Sequence, residues 1–242
     1  MTLIFTLKVA EGLVLAAESR MTISEGAVPV YYSDVQKLFP LKDYPAAILT
    51  CGSGFLQSKA LSSWIRAFDS ELPTNLSIRH VAERLQKFLG PADQGTTTTL
   101  VLAGFNREAV QGFEAEVYKI TAFEDGAQNF FDLSESVSFW DGDFEAVTRL
   151  LLGRSPVYFQ AIALHLDKTQ LASLDRSVQM DPPYYAMSLQ EGIEFVDFLM
   201  NTQIQFQRFA SQPQSCGGPI DIAVVTPEEG FQWVRRKTLR LS

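Results

Sequence analysis

The sequence predicts an α+β fold, a four-layer αββα sandwich of two antiparallel sheets whose outer faces are covered by helices. Three observations predict it: strand patterns at both ends of the chain, amphipathic helix pairs between them, and opening strands that are apolar without alternation. Residues 2–9 and 12–19 are rich in Leu, Ile and Val around a break at Ala10, Glu11 and Gly12, which reads as a β-hairpin. The run "LVLAA" is apolar on both faces, as expected of a sheet covered on both sides. Leu38–Leu41 and Ala46–Thr50 form a further strand pair around a turn at Lys42–Pro45.

From Phe55 the period changes. Leu61, Trp64, Ile65 and Phe68, then Ile78, Val81, Leu85 and Phe88, fall at helical spacing on either side of a break at Pro73 and Asn75. Strands resume at "TTLVLAGF" and "AEVYKITAF", followed by a weaker segment ending at "SVSFW". Asp143 is placed to cap a helix running through Phe144, Val147, Leu150 and Leu151 to Gly153, and residues 157–166 read as helical. "MDPPYY" breaks the chain, and Ser188 with Glu191 makes an S-x-x-E capping box ahead of Ile193, Val196, Leu199, Met200 and Ile204. "CGGPIDIAVVT" and "GFQWV" return to strand. Neither a linker nor a repeat divides the 242 residues, so a single domain, 1–242, is expected.

Composition narrows the function. With 28 acidic against 20 basic residues the net charge is -8, which argues against nucleic acid as a partner. The basic stripe of Arg235, Arg236, Lys237 and Arg240 reads as a solvated tail. Cys51 and Cys216 lack metal or disulfide spacing, and His80 and His165 have no second ligand nearby in sequence, so neither a metal nor another cofactor is expected. The opening residues lack a basic n-region, and no run is long enough to span a membrane, so a cytoplasmic protein without membrane attachment is the expectation. "GTTTT" lacks the Gly-Lys-Thr ending of a phosphate loop, and Asp141 and Asp143 around Gly142 supply too few carboxylates for calcium.

Four patterns occur in a telling order: Thr2 behind the initiator methionine, "EGLVLAAESR", "QKLFPL" with "TCGSG", and "SCGGPIDIAVVT". In that order the chain resembles the β-type subunits of the 20S proteasome, which are N-terminal-nucleophile hydrolases. The resemblance is strongest over residues 2–66 and 188–226. It implies the sandwich fold, a threonine nucleophile whose own α-amine moves the proton, a ring-like homo-oligomer of identical subunits and a peptide substrate; it admits an ATPase partner. By position it implies Thr2 as nucleophile after Met1 is removed, Glu18 supporting a catalytic Lys37, Gly52 facing the oxyanion and Thr22 contacting substrate backbone.

Read alone, Lys37 is equally a solvated strand-end lysine, and Glu18 with Arg20 a surface ion pair. Three positions depart from the family. "FWDGD" places Asp141 where the family has a serine, and Pro213 and Cys216 stand where an aspartate and a serine complete the hydrogen-bond network around the amine. The second reading of the chain is therefore a non-catalytic subunit of the same fold, acting in assembly or binding.

Overall fold

A computed structural model describes residues 2–23, 30–106, 114–211 and 213–238; Met1 and Arg240, both named above, lie outside the described residues. In chain order the strands and helices begin β1 (Leu3–Val9), β2 (Gly12–Glu18), β3 (Met21–Ile23), β4 (Val30–Tyr32), β5 (Leu38–Pro40), β6 (Ala46–Gly52), β7 (Phe55–Leu56) and β8 (Lys59–Ala60). They continue with α1 (Leu61–Glu71), α2 (Ile78–Phe88), β9 (Thr97–Phe105), β10 (Ala115–Phe123), β11 (Gln128–Asp132), β12 (Ser138–Gly142), α3 (Glu145–Leu152), α4 (Pro156–Ala163) and α5 (Lys168–Val178). The last are α6 (Leu189–Arg208), β13 (Ile220–Thr226) and β14 (Gly230–Arg235).

β1 and β2 form the expected hairpin, with Val9 opposite Gly12 across a two-residue turn. They occupy the middle of an antiparallel sheet ordered β12-β1-β2-β13-β14, and a second antiparallel sheet runs β11-β10-β9-β6-β5. The uniformly apolar "LVLAA" now has a cause. Leu13, Leu15 and Ala17 point toward Ala47, Leu49 and Val101 of the other sheet. Val14 and Ala16, on the opposite face, pack with Val196, Leu199 and Met200 of α6 and with Val147 and Leu151 of α3. On the second sheet, Ile48, Leu100 and Ile120 meet Ile65 and Phe68 of α1 and Val81 and Leu85 of α2. Successive strand side chains point to opposite faces, so only a strand packed on both can be apolar throughout.

The capping box of α6 is formed: Ser188 Oγ accepts from Glu191 N (3.2 Å) and Glu191 Oε2 accepts from Ser188 N (2.8 Å). Ser188→Ala should cost about 1 kcal/mol of stability, read as a lower denaturant midpoint with an unchanged slope; an unaltered midpoint contradicts it. Asp143, by contrast, is not the cap of α3. That position belongs to Phe144, which contributes no side-chain hydrogen bond, and the Asp143 carboxylate turns elsewhere. The helical stretch expected over 157–166 is α4, which ends at Ala163 and leaves His165 in a turn. α5 had a readable signal in the Asp167–Gln170 capping box that begins it.

The tail is also not wholly solvated. Lys237 Nζ is buried against the Asp221 carboxylate and donates to Ser19 Oγ (3.1 Å), while Arg235 pairs with Asp197. Among the described residues no helix is long and apolar enough to cross a membrane.

Candidate active site

β1 begins directly after Thr2, and β2 delivers Glu18 at its far end, antiparallel to β1 and therefore beside Thr2. Both are buried, Glu18 completely. Lys37 precedes β5 and is held to β6 by the Thr50 N–H, which donates to the Lys37 carbonyl (2.9 Å). The residue is 5% exposed, and its side chain crosses between the sheets. There Lys37 Nζ donates to Thr2 Oγ1 (2.7 Å), to Glu18 Oε1 and to the Arg20 carbonyl. An ammonium has three protons, and all three are used.

Glu18 is equally committed. Its Oε2 accepts from the backbone N–H of Arg20 (2.7 Å) and of Gly217 (2.8 Å). Complete burial excludes the surface ion pair with Arg20, whose side chain turns instead toward the Gln214 carbonyl (3.3 Å). Burial pushes the Glu18 carboxyl above its ordinary value, and the Lys37 cation and the two backbone donors offset part of that. A cation fixed at hydrogen-bond distance from a threonine hydroxyl favours the alkoxide over the alcohol, which is the electrostatic requirement for a hydroxyl nucleophile.

The hydroxyl opens into a cavity of about 700 Å³ lined by residues that include Thr22 of β3, Lys37, Gly52 and Thr97. Gly52 ends β6 with φ +92°, and a Cβ there would overlap the Thr97 carbonyl oxygen, so the site requires glycine. Thr22 Oγ1 is buried without a hydrogen-bond partner among the described residues. Thr2, Lys37, Gly52 and Thr22 thus share one cavity, with Glu18 behind Lys37. Cys51 lines it as well, but burial raises its thiol to about 12, and burial also raises Cys216. Both thiols are therefore protonated at neutral pH and poor rival nucleophiles. Neither histidine is among the residues lining the cavity.

Behind Thr2 lies a second polar cluster, which the sequence reading missed. Gly142, opposite Leu3, adopts φ +106°, and a Cβ on it would overlap the Thr2 carbonyl oxygen. The next residue, Asp143, donates its N–H to that same oxygen (2.7 Å). The Asp143 carboxylate accepts from Ser215 Oγ (2.6 Å) and from Gln203 Nε2 (3.3 Å). Gln207 anchors the segment that leads into β13, accepting from Cys216 N (2.7 Å) and donating to Ser215 Oγ (3.1 Å). Gln203 and Gln207 sit four apart on the buried face of α6, and two glutamines inside an apolar stripe were the available signal.

Asp141 pairs with Lys119 (2.5 Å) and Pro213 is exposed, while Asp143 and Ser215 bond to each other behind Thr2, which Asp143 meets through its backbone N–H. Gly142→Ala should lose about 2–4 kcal/mol, since it forces both a strained backbone and a displaced Thr2. Chemical denaturation checks this; a loss under 1 kcal/mol contradicts the close approach.

The arrangement can be set beside known structures. The solved structure of the Anbu (Gly-1) mutant from Hyphomicrobium sp. strain MC1 aligns with a TM-score of 0.55 at 16% identity, covering 98% of this chain and 86% of that one. The chain shares the fold of Anbu. Nearly the whole chain takes part in the alignment. At that identity the likeness is one of fold. No protein-family model matches the sequence, and no curated protein matches it.

Proposed function

We propose that the chain is a proteasome-like threonine hydrolase of peptide or amide bonds, a single αββα sandwich domain over 1–242, cytoplasmic, working in a ring-like assembly of identical subunits. The observation that carries this reading is the 2.7 Å hydrogen bond from Lys37 Nζ to Thr2 Oγ1, with Glu18 buried behind the lysine. The fold shared with Anbu, a proteasome-like protein, supports it.

In the proposed cycle Met1 is removed and the freed α-amine of Thr2, whose ordinary pKa is roughly 7.7–8, takes the hydroxyl proton. Lys37 keeps its three donors and stabilises the oxygen anion as it attacks the scissile carbonyl carbon. The Gly52 N–H faces the tetrahedral oxyanion. Collapse breaks the C–N bond, the amine leaves with the proton held by the α-amine, and an ester on Thr2 remains. Water adds to that ester by the same route and releases the acid. Asp143 and Ser215 serve as positioning residues that hold the first residues in register.

The test is the intact mass of purified protein before and after a threonine-directed β-lactone. Loss of Met1 and one adduct on Thr2 are expected. Retained Met1, or processed protein that takes no adduct where a control proteasome does, overturns the reading in favour of a non-catalytic subunit.

A further inference from the structure

Ser19 is completely buried and lies between the two residues that hold Lys37. Glu18 Oε1 and the Arg20 carbonyl supply two of the three acceptors of Lys37 Nζ, the third being Thr2 Oγ1. Whatever fixes Ser19 therefore helps to fix the lysine beside the hydroxyl. Three segments distant in sequence do so. Ser19 N donates to the Gly217 carbonyl (3.1 Å), and the Ser19 carbonyl accepts from Val35 N (3.0 Å), two residues before Lys37. Gly217 N in turn donates to Glu18 Oε2 (2.8 Å). The third attachment is made by side chains: Ser19 Oγ accepts from Lys237 Nζ (3.1 Å).

Lys237 follows β14 and is itself tied down. Its ammonium pairs with the Asp221 carboxylate, the two side chains being 7% and 2% exposed, and its N–H donates to Asp221 Oδ1 (2.8 Å). Asp221 sits on β13 opposite Ala17 of β2, one residue from Glu18. Two residues before Lys237, Arg235 Nε donates to the Ile220 carbonyl (3.1 Å) and the guanidinium pairs with Asp197 of α6. A buried ion pair gains little stability over apolar side chains of similar volume, because desolvation offsets its attraction. Its charge-assisted hydrogen bonds do impose direction, and here they hold the Ser19 hydroxyl at a set place beside β13. Ser19, Asp221 and Lys237 are not among the residues lining the cavity, so they act on the reaction only through the groups they hold.

We propose that Lys237 is a positioning residue for the Thr2 reaction, acting through Ser19 on the Glu18–Lys37 pair, with Asp221 as its anchor. The proposal rests on Thr2 being the nucleophile and goes beyond it by tying the segment after β14 to the attacking hydroxyl. A shift of Ser19 carries Glu18 Oε1 and the Arg20 carbonyl with it and displaces Lys37 Nζ from Thr2 Oγ1, so the loss falls on kcat rather than on KM.

Four variants are compared with the wild type: Lys237→Met, Lys237→Met with Asp221→Asn, Ser19→Ala and Arg236→Ala. Lys237→Met leaves a buried carboxylate without its cation and should melt lower; adding Asp221→Asn removes that charge, keeps an acceptor for the N–H at position 237 and should recover much of the melting temperature. In both, kcat and the rate of β-lactone labelling of Thr2 should nonetheless stay down by about tenfold. Ser19→Ala should show the same fall, with KM in all three within about twofold of wild type. Arg236→Ala, exposed on the same segment, should match the wild type. Recovery of kcat together with the melting temperature in the double variant, or a wild-type kcat in Ser19→Ala, reduces Lys237 to a structural role and overturns the proposal; where neither Lys237 variant folds, Ser19→Ala decides. Wild-type protein that takes no adduct on Thr2 removes the nucleophile and this proposal together, whereas variants labelled at the wild-type rate remove this proposal alone.

Discussion

Thr2→Ala should abolish the β-lactone adduct and lower hydrolysis by about 10³-fold or more, because among the described residues no other hydroxyl in the cavity accepts from Lys37 Nζ. Cys51, the nearest alternative by chemistry, has its thiol pushed up to about 12, and no histidine lines the cavity to activate it. The fold itself should survive. The substitution removes one of the three acceptors around Lys37 Nζ and leaves that proton unpaired in a buried place, at a cost of about 1–3 kcal/mol. Thr2→Ser keeps the acceptor and should recover part of the rate. Undiminished hydrolysis in Thr2→Ala, with a cooperative melting transition, would place the reaction elsewhere.

The second large effect belongs to the buried pair. Lys37→Met leaves Glu18 charged, wholly buried and without its cation, a situation that costs about 3–5 kcal/mol. Turnover should fall with it, since the positive charge beside Thr2 Oγ1 is gone. The loss should depend on pH with a definite sign. Burial raises the Glu18 carboxyl above 4.5 even with Lys37 in place, and removing the cation raises it further. A group raised on folding contributes stability that is complete below its unfolded value and is lost as pH climbs through the folded value. Lys37→Met should therefore be much less stable at pH 8 than near pH 5, and the double variant Lys37→Met with Glu18→Gln should have a flatter profile. Denaturant midpoints at the two pH values decide it; equal losses at both would mean that Glu18 bears no buried charge.

Much of the framework was legible because its causes are local. The hairpin follows from two apolar runs around Ala10 and Glu11, and α6 follows from Ser188 and Glu191 at capping-box spacing ahead of a 3.6-residue stripe. β3 with β4 and β7 with β8 escaped notice because strands of two or three residues are too short to show a period. Asp143 was misplaced for a related reason. An aspartate before a helix is an ordinary cap, and nothing near it in sequence announces that Ser215 and Gln203 compete for its carboxylate.

By itself the sequence determined the order and type of most of the main elements, α5 excepted, and the two-faced burial of β1 and β2. Tertiary structure decided which of them meet. Lys37 reaches Thr2 across 35 positions, Asp143 reaches Ser215 across 72, and Gly217 reaches Glu18 across 199. Contacts over such separations depend on strand register and on how the two sheets stack, and hydrophobic periodicity carries no record of which polar side chains will be sealed together between them.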